Sequence, residues 1–262
     1  MHHLAVVQAL LAMGCGSLVG FSLALIGGGG SILAMPLLLY VVGIRDPHLA
    51  IGTSAMAVAV NAYANLIPHA RAGHVHWKVG FTFAATGVIG ALVGSTLGKA
   101  INGQHLLALF AVLMLVVAAL MLRRRRGGGA DRYPLPHMFP RLGAVGFGAG
   151  SLSGFFGIGG GFLIVPGLIF ATGMPMINAI GSSLLSVGSF GVTTAANYAL
   201  SGLIAWVVAA EFIAGGVLGG LFGMRLALRL SGRRATLNRI FAGLVFVVAL
   251  YMLYRNWITQ GA

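Results

Sequence analysis

Gly157-Ile158-Gly159-Gly160-Gly161-Phe162-Leu163-Ile164-Val165-Pro166 decides the fold, because the chain carries this stretch twice. Its counterpart is Gly27-Gly28-Gly29-Gly30-Ser31-Ile32-Leu33-Ala34-Met35-Pro36. Both copies lie inside apolar runs. Glycine costs about 1 kcal/mol against alanine in a helix interior, so each cluster predicts a broken helix at membrane depth. Freed backbone groups are tolerated there only if buried in protein or lining a polar cavity. Such a place can hold a small polar solute.

The 262 residues are 58% hydrophobic and 7% charged, with mean hydropathy +0.98. Soluble domains carry roughly 25% charged residues, so the composition is that of a polytopic membrane protein in a lipid bilayer. The net charge of +13 comes from 16 Lys and Arg against 3 Asp and Glu. Its arginines gather at the ends of apolar segments, which reads as positive-inside loops and not as a nucleic-acid surface. The single cysteine, Cys15, excludes an internal disulfide and a cysteine metal cluster. Ala12-Met13-Gly14-Cys15 faintly resembles a lipoprotein cleavage site, but residues 1–8 lack the positive region of a signal peptide. The first apolar run is expected to stay as a membrane helix.

Apolar segments fall at about 4–26, 31–43, 49–68, 79–98 and 104–122, and again at about 142–156, 162–173, 177–200, 205–229 and 236–257. Between the two sets lie Arg123, Arg124, Arg125 and Arg126, three glycines, and Pro134, Pro136 and Pro140. The reading is a first repeat at 1–122, a basic linker at 123–141 and a second repeat at 142–262. Pro36 pairs with Pro166 at an offset of 130, and Ala50-Ile51-Gly52-Thr53-Ser54 with Ala179-Ile180-Gly181-Ser182-Ser183 at 129. Trp77 and Trp206, and the rows Gly87/Gly90/Gly94 and Gly216/Gly219/Gly223, also pair at 129. One internal duplication accounts for all of these.

The arginine run predicts a cytoplasmic linker. Counting crossings from it places the 69–78 loop inside and the uncharged 201–204 turn outside, with Arg225, Arg229, Arg233, Arg234 and Arg239 inside. Five segments per half is an odd number, so the second repeat is expected to be inverted, with both termini outside. Residues 31–42 as a helix cover about 18 Å against a hydrocarbon core of about 30 Å. Each glycine cluster is therefore expected at the tip of a hairpin or in a discontinuous helix, and eight or ten segments fully span.

Ser182, Ser186, Ser189, Thr193 and Asn197 recur on one helical face, and Ser54, Asn61 and Asn65 do so in the first half. Such stripes line a hydrophilic passage, or glue helices together. Backbone N–H groups opening a helix after a glycine loop attract anions. An inverted repeat can aim two of them at one centre. Cation carriers place carboxylates along their path, and Glu211 is the one acidic residue within an apolar segment. It is either a proton-coupling group or an interfacial carboxylate. Gly157-x-Gly159-Gly160-Gly161 is no nucleotide fingerprint, since Phe162 occupies the sixth position and no βαβ unit surrounds it. His69, His74 and His76 crowd one loop without the spacing or co-ligands of a metal site. Trp77 and Trp206 read as interfacial anchors, and the glycine rows as helix contacts.

With its duplicated glycine-rich motif ending in proline, the Ala-Ile-Gly-Thr/Ser-Ser motif after it and the basic central linker, the chain resembles the sulfite exporter TauE/SafE family from about Gly14 to Tyr254. The resemblance implies transport of sulfur-containing anions, such as sulfite or sulfonates, across a bacterial inner membrane. By position it carries over Gly27, Gly28, Gly29, Gly30, Ser31, Pro36, Thr53 and Ser54, then Gly157, Gly159, Gly160, Gly161, Pro166, Ser182 and Ser183. Ser31 opposite Gly161 departs from the symmetry, so the two breaks need not be chemically equivalent.

The expectation is an all-α integral membrane transporter of two inverted repeats, in which one half rocks against the other. The carried-over glycines, Ser31, Thr53, Ser54, Ser182 and Ser183, with Asn61, Ser186 and Asn197, would form its anion site. It would need no cofactor; a proton or sodium ion could couple, and homo-oligomers are allowed. A passive anion channel is the close rival. A membrane enzyme or non-transporting subunit is less favoured, because no nucleophile–base pair or metal motif lies within the apolar segments.

Overall fold

The computed structural model describes residues 2–122, 137–229 and 234–260. The four-arginine run at 123–126 lies outside the described residues. Those described form helices joined by short turns, with no β-strand among them. In chain order they are α1 (His2–Ile26), a 3-10 segment (Gly27–Leu33), α2 (Ala34–Tyr40), α3 (Pro47–Arg71), α4 (Trp77–Ala100) and α5 (Gly103–Leu122). The second set is α6 (Met138–Phe156), α7 (Gly161–Thr172), α8 (Met176–Ala199), α9 (Trp206–Arg229) and α10 (Arg234–Gln260). α6 starts before the expected 142, because Pro140 sits in its first turn, where the missing N–H has no intrahelical partner to lose.

Five helices are long and apolar enough to cross a membrane: most of α1, all of α3, α4 and α8, and Trp206–Gly223 of α9. Their outward faces are apolar, with Phe81, Ile89, Leu97, Val207 and Phe222 exposed. The polar residues Thr53, Ser54, Asn61, Ser153, Ser182 and Ser186 are fully buried. This inversion of the soluble pattern belongs to a protein solvated by lipid. Trp77 and Trp206 stand exposed at helix starts, Trp77 stacked on Phe81 at 5.9 Å, as interfacial anchors do.

α3 and α8 cross at the centre. Tyr63 Oη and Ser189 Oγ share a hydrogen bond of 3.2 Å near their middles. The start of α3 lies beside the end of α8, where a methyl group on Gly52 would meet Tyr198 Cβ at 2.9 Å. The two helices therefore run antiparallel. Around them, α4 packs on α6 and α1 on α9.

Both outer seams are built on glycine. A methyl group on Gly90 or Gly94 would collide with the carbonyl of Phe147 or Ser151; one on Gly219 or Gly223 would collide with that of Ser17 or Phe21. The second pair repeats the first at the sequence offsets of 129 and 130. Each seam joins one helix from each half, and α5 packs on α10 in the same way. The halves are thus interlocked.

Candidate functional site

Val58 is the twelfth residue of α3 and Val187 the twelfth of α8, each at its helix midpoint. They are counterparts in the two halves, 129 residues apart. Gly159 lies between them: a methyl carbon on it would stand 2.9 Å from Val58 Cγ1 and 3.0 Å from Val187 Cγ1. The second glycine break is therefore lodged where α3 and α8 cross, and the 3-10 segment of the first packs against α7 and α8.

Backbone conformation makes the break. Gly157 ends α6 in the left-handed region at φ 66°, ψ 22°, its N–H donating to Ser153 O, as a glycine past a helix end commonly does. Ile158 N–H follows onto the same carbonyl at 3.3 Å, and its side chain is fully buried. Gly159 and Gly160 are left-handed too, at φ 66° and 63°, before α7 opens at Gly161. Leu163 and Ile164 then donate to Gly160 O at 2.9 and 3.1 Å. Among the described residues, no acceptor meets the N–H groups of Gly159, Gly160, Gly161 and Phe162. Successive unclaimed amides at a helix start form an anion-binding concavity.

Ser153 supplies a side chain. It is fully buried, its hydroxyl has no partner, and Oγ would lie 2.8 Å from a methyl carbon on Gly160. Ser54 ties α3 to the loop by donating to Gly157 O at 3.2 Å and to Ile51 O at 2.9 Å. The walls are Ile51, Val58, Ile158 and Val187, and residues 157–162 are buried throughout.

The first break differs. α1 runs straight into the 3-10 segment, and α2 beyond it has only 7 residues. Gly30 lacks the left-handed φ of its counterpart Gly160, and a methyl group on it would meet Leu23 N at 2.5 Å. Gly28 stands where Ile158 stands in the second copy. Without that buried peg, the glycines tighten into 3-10 turns, the usual short-range alternative at a helix end. Ser31 is fully buried within this segment.

The other sequence-derived residues lie along α3 and α8, some beside the crossing, as Ser186 next to Val187 and Asn61 one turn from Val58, and others toward the helix ends. Thr53 Oγ1 accepts the N–H of Ala205 at 3.0 Å, and Ser182 Oγ accepts that of His76 at 2.9 Å. Thr53 pairs with Ser182, and His76 with Ala205, at 129. Each hydroxyl holds the turn before a long helix of the opposite half, one at each end of the α3/α8 pair. Ser183 donates to Ile180 O at 2.8 Å and Thr193 to Ser189 O at 2.8 Å; hydroxyls bonded back along their own helix serve packing. Ser186 is buried without a partner. Asn61 is also buried and unpartnered, against Gly216 of α9, and Asn65 Nδ2 donates to its carbonyl at 2.9 Å.

Asn197 lies at the far end of α8, away from the loop. Its Oδ1 and carbonyl accept from Lys99 Nζ at 2.8 and 3.0 Å, and Ser201 Oγ accepts a third bond at 3.0 Å. A charge-assisted cluster of this kind is worth about 1.5–3 kcal/mol per bond, less the screening its partial exposure brings. Lys99→Met is expected to lower the melting temperature by a few degrees without changing the solute affinity of the surviving folded protein, a split that thermal scanning beside a binding titration measures. The sequence gives no signal for Lys99 or Ser153: nothing in their spacing distinguishes them from other lysines and helical serines.

The profile of the sulfite exporter TauE/SafE family matches residues 12–252. A probable membrane transporter protein of Xylella fastidiosa is 54% identical over 254 residues, covering 96% of this chain and 97% of that one. The probable membrane transporter protein MJ0441 of Methanocaldococcus jannaschii is 30% identical over 200 residues, covering 74% and 70%. YunE of Bacillus subtilis, described in the same words, is 23% identical over 273 residues, covering 96% and 97%. No solved structure matches. A helical fold turned apolar side outward, and a family profile that runs almost from end to end, agree: this multi-pass membrane protein is a transporter and not an enzyme, and it belongs to the sulfite exporter TauE/SafE family.

Proposed function

We propose that the protein carries a small anion, a sulfur-containing one such as sulfite or a sulfonate, through a site at the α3/α8 crossing by alternating access. One observation carries the reading. At the midpoint of the two central helices, four backbone N–H groups and the Ser153 hydroxyl have no acceptor among the described residues. An oxyanion supplies the acceptors they lack. All these donors are neutral, so they hold an anion without the grip of a fixed charge, and release stays easy. The family name supports the choice of a sulfur oxyanion. The setting is a bacterial inner membrane with the basic linker in the cytoplasm.

An inverted repeat fits the packing. Counterpart helices α3 and α8 run antiparallel, and the glycine seams recur at fixed offsets in the two halves. The close seams also bear on which bodies would move. α1 with α9, and α4 with α6, are too closely fitted to slide, so the rocking units each take helices from both halves. The bonds from Ala205 to Thr53 and from His76 to Ser182 then act as counterpart latches, the first at the outer mouth and the second at the inner. Both being closed on a buried loop suits a carrier better than a channel.

Ser153→Ala is expected to raise the KM for transport about tenfold, the loss of one hydrogen bond to a charged group, with unchanged insertion. Thr53→Val and Ser182→Ala are expected to favour opposite sidedness. Thr53→Val should expose the pathway to a membrane-impermeant thiol reagent from outside, and Ser182→Ala from inside, read at an introduced cysteine in a Cys15→Ser background. Counterflow of labelled against unlabelled sulfite and sulfonates in proteoliposomes tests the function itself. Saturable exchange supports a carrier; flux without saturation or counterflow would make the protein a channel, and no flux of any anion would end the proposal.

A further inference from the structure

The same loop allows an inference about charge, which rests on the anion site proposed above. The start of α7, with its unclaimed amides, offers partial positive charge equivalent to about half an elementary charge. The first break adds no comparable field, because the 3-10 segment leads only into the 7-residue α2. The side chains that close on the loop are the neutral Ser54 and Ser153 and the apolar Ile51, Val58, Ile158 and Val187.

The basic groups on and around these helices lie toward their ends: His48 and His69 are ten and eleven residues from Val58 along α3, about 15 and 16 Å away. Lys99 is bonded at Asn197, ten residues along α8 from Val187 and about 15 Å away. The His76 ring is bonded to Asn178 at 3.1 Å, nine residues the other way and about 13 Å off. A single negative charge spread over three oxygens meets amides and a hydroxyl that match it. A second charge would be buried against aliphatic carbon with nothing to balance it, and burying an unpaired charge is heavily penalised.

We infer that the site selects monoanions against dianions: a sulfonate or other monovalent oxyanion with a small apolar substituent, which the Ile51, Val58 and Val187 walls accept, and not sulfate or a doubly ionised analogue.

Methanesulfonate and sulfate make a near-isosteric pair, since a methyl group in one replaces a charged oxygen in the other. Counterflow of each, labelled, is measured in proteoliposomes with the full chain and with Gly159→Leu. The expected result is that methanesulfonate exchanges at least about 100-fold faster than sulfate at equal concentration, with Gly159→Leu silent. Sulfate exchanging as fast or faster, and still stopped by Gly159→Leu, overturns the charge selection while leaving the site in place. Exchange of either anion that ignores Gly159→Leu overturns the site and the charge selection together. A second arm uses inorganic phosphate between pH 6 and pH 8, where it passes from monoanion to dianion. Exchange should fall as pH rises, and a rise instead contradicts the inference.

Discussion

Gly159→Leu is expected to lower transport by about 100-fold or more while the chain still inserts in the membrane. Two independent costs fall on this residue. Its φ of 66° lies in the left-handed region, which charges a residue with a Cβ roughly 1–2 kcal/mol. A side chain would also run into Val58 and Val187, whose Cγ1 atoms stand 2.9 and 3.0 Å from the methyl position, and overpacking adds about 1–3 kcal/mol. The loop sits between two helix midpoints, so relief comes either by prying α3 from α8 or by rewinding the loop. Both remove the row of free amides. Gly159→Ala is expected to be intermediate, since it keeps the backbone penalty and most of the close contact but not the bulk of leucine. Counterflow rates normalised to the protein in the membrane measure the effect. Near-normal rates in Gly159→Leu would separate the loop from transport.

The second large effect concerns stability. Gly90→Val and Gly219→Val should each destabilise the folded protein by about 2–3 kcal/mol, and by similar amounts. Both side chains would strike backbone, at Phe147 and Ser151 from Gly90 and at Ser17 from Gly219, and backbone cannot rotate out of the way. The near-equality is the informative part, because the two glycines occupy counterpart places in seams repeated at 129 and 130 residues. Gly148→Val serves as the control, as nothing lies within 4 Å of its methyl position. Detergent thermal scanning should show two matched losses and an unchanged control. A large loss at one glycine and none at the other would break the equivalence of the seams.

Part of this architecture is legible because duplication leaves its mark in spacing. The paired motifs at 129 and 130 suggest two matched sets of helices, and the rows Gly87/Gly90/Gly94 and Gly216/Gly219/Gly223, which read as close helix contacts, sit in such contacts. The partners of those rows were not legible. That α4 should pack on α6, and α1 on α9, is a choice among apolar faces of equal hydropathy. The place of Thr53 and Ser182 in a motif suggests anion ligands. In the structure they hold turns of the opposite half, a long-range bond that no local pattern announces. The unequal breaks hang on one residue: Ile158 anchors the second loop where Gly28 leaves the first without a side chain. Ser153 carried no signal, because its importance comes from a hydroxyl left unpartnered once α6 and the loop have packed.

The most direct test of the central claim is an experimental density map of the protein with methanesulfonate bound. The sulfonate oxygens should lie about 3 Å from the backbone nitrogens of Gly159, Gly160, Gly161 or Phe162 and from Ser153 Oγ, hydrogen-bond distance, with α3 and α8 on either side. Density for the anion elsewhere, for instance beside Asn61 in the α1–α9 seam, or a continuous helix through residues 157–161, would contradict the account.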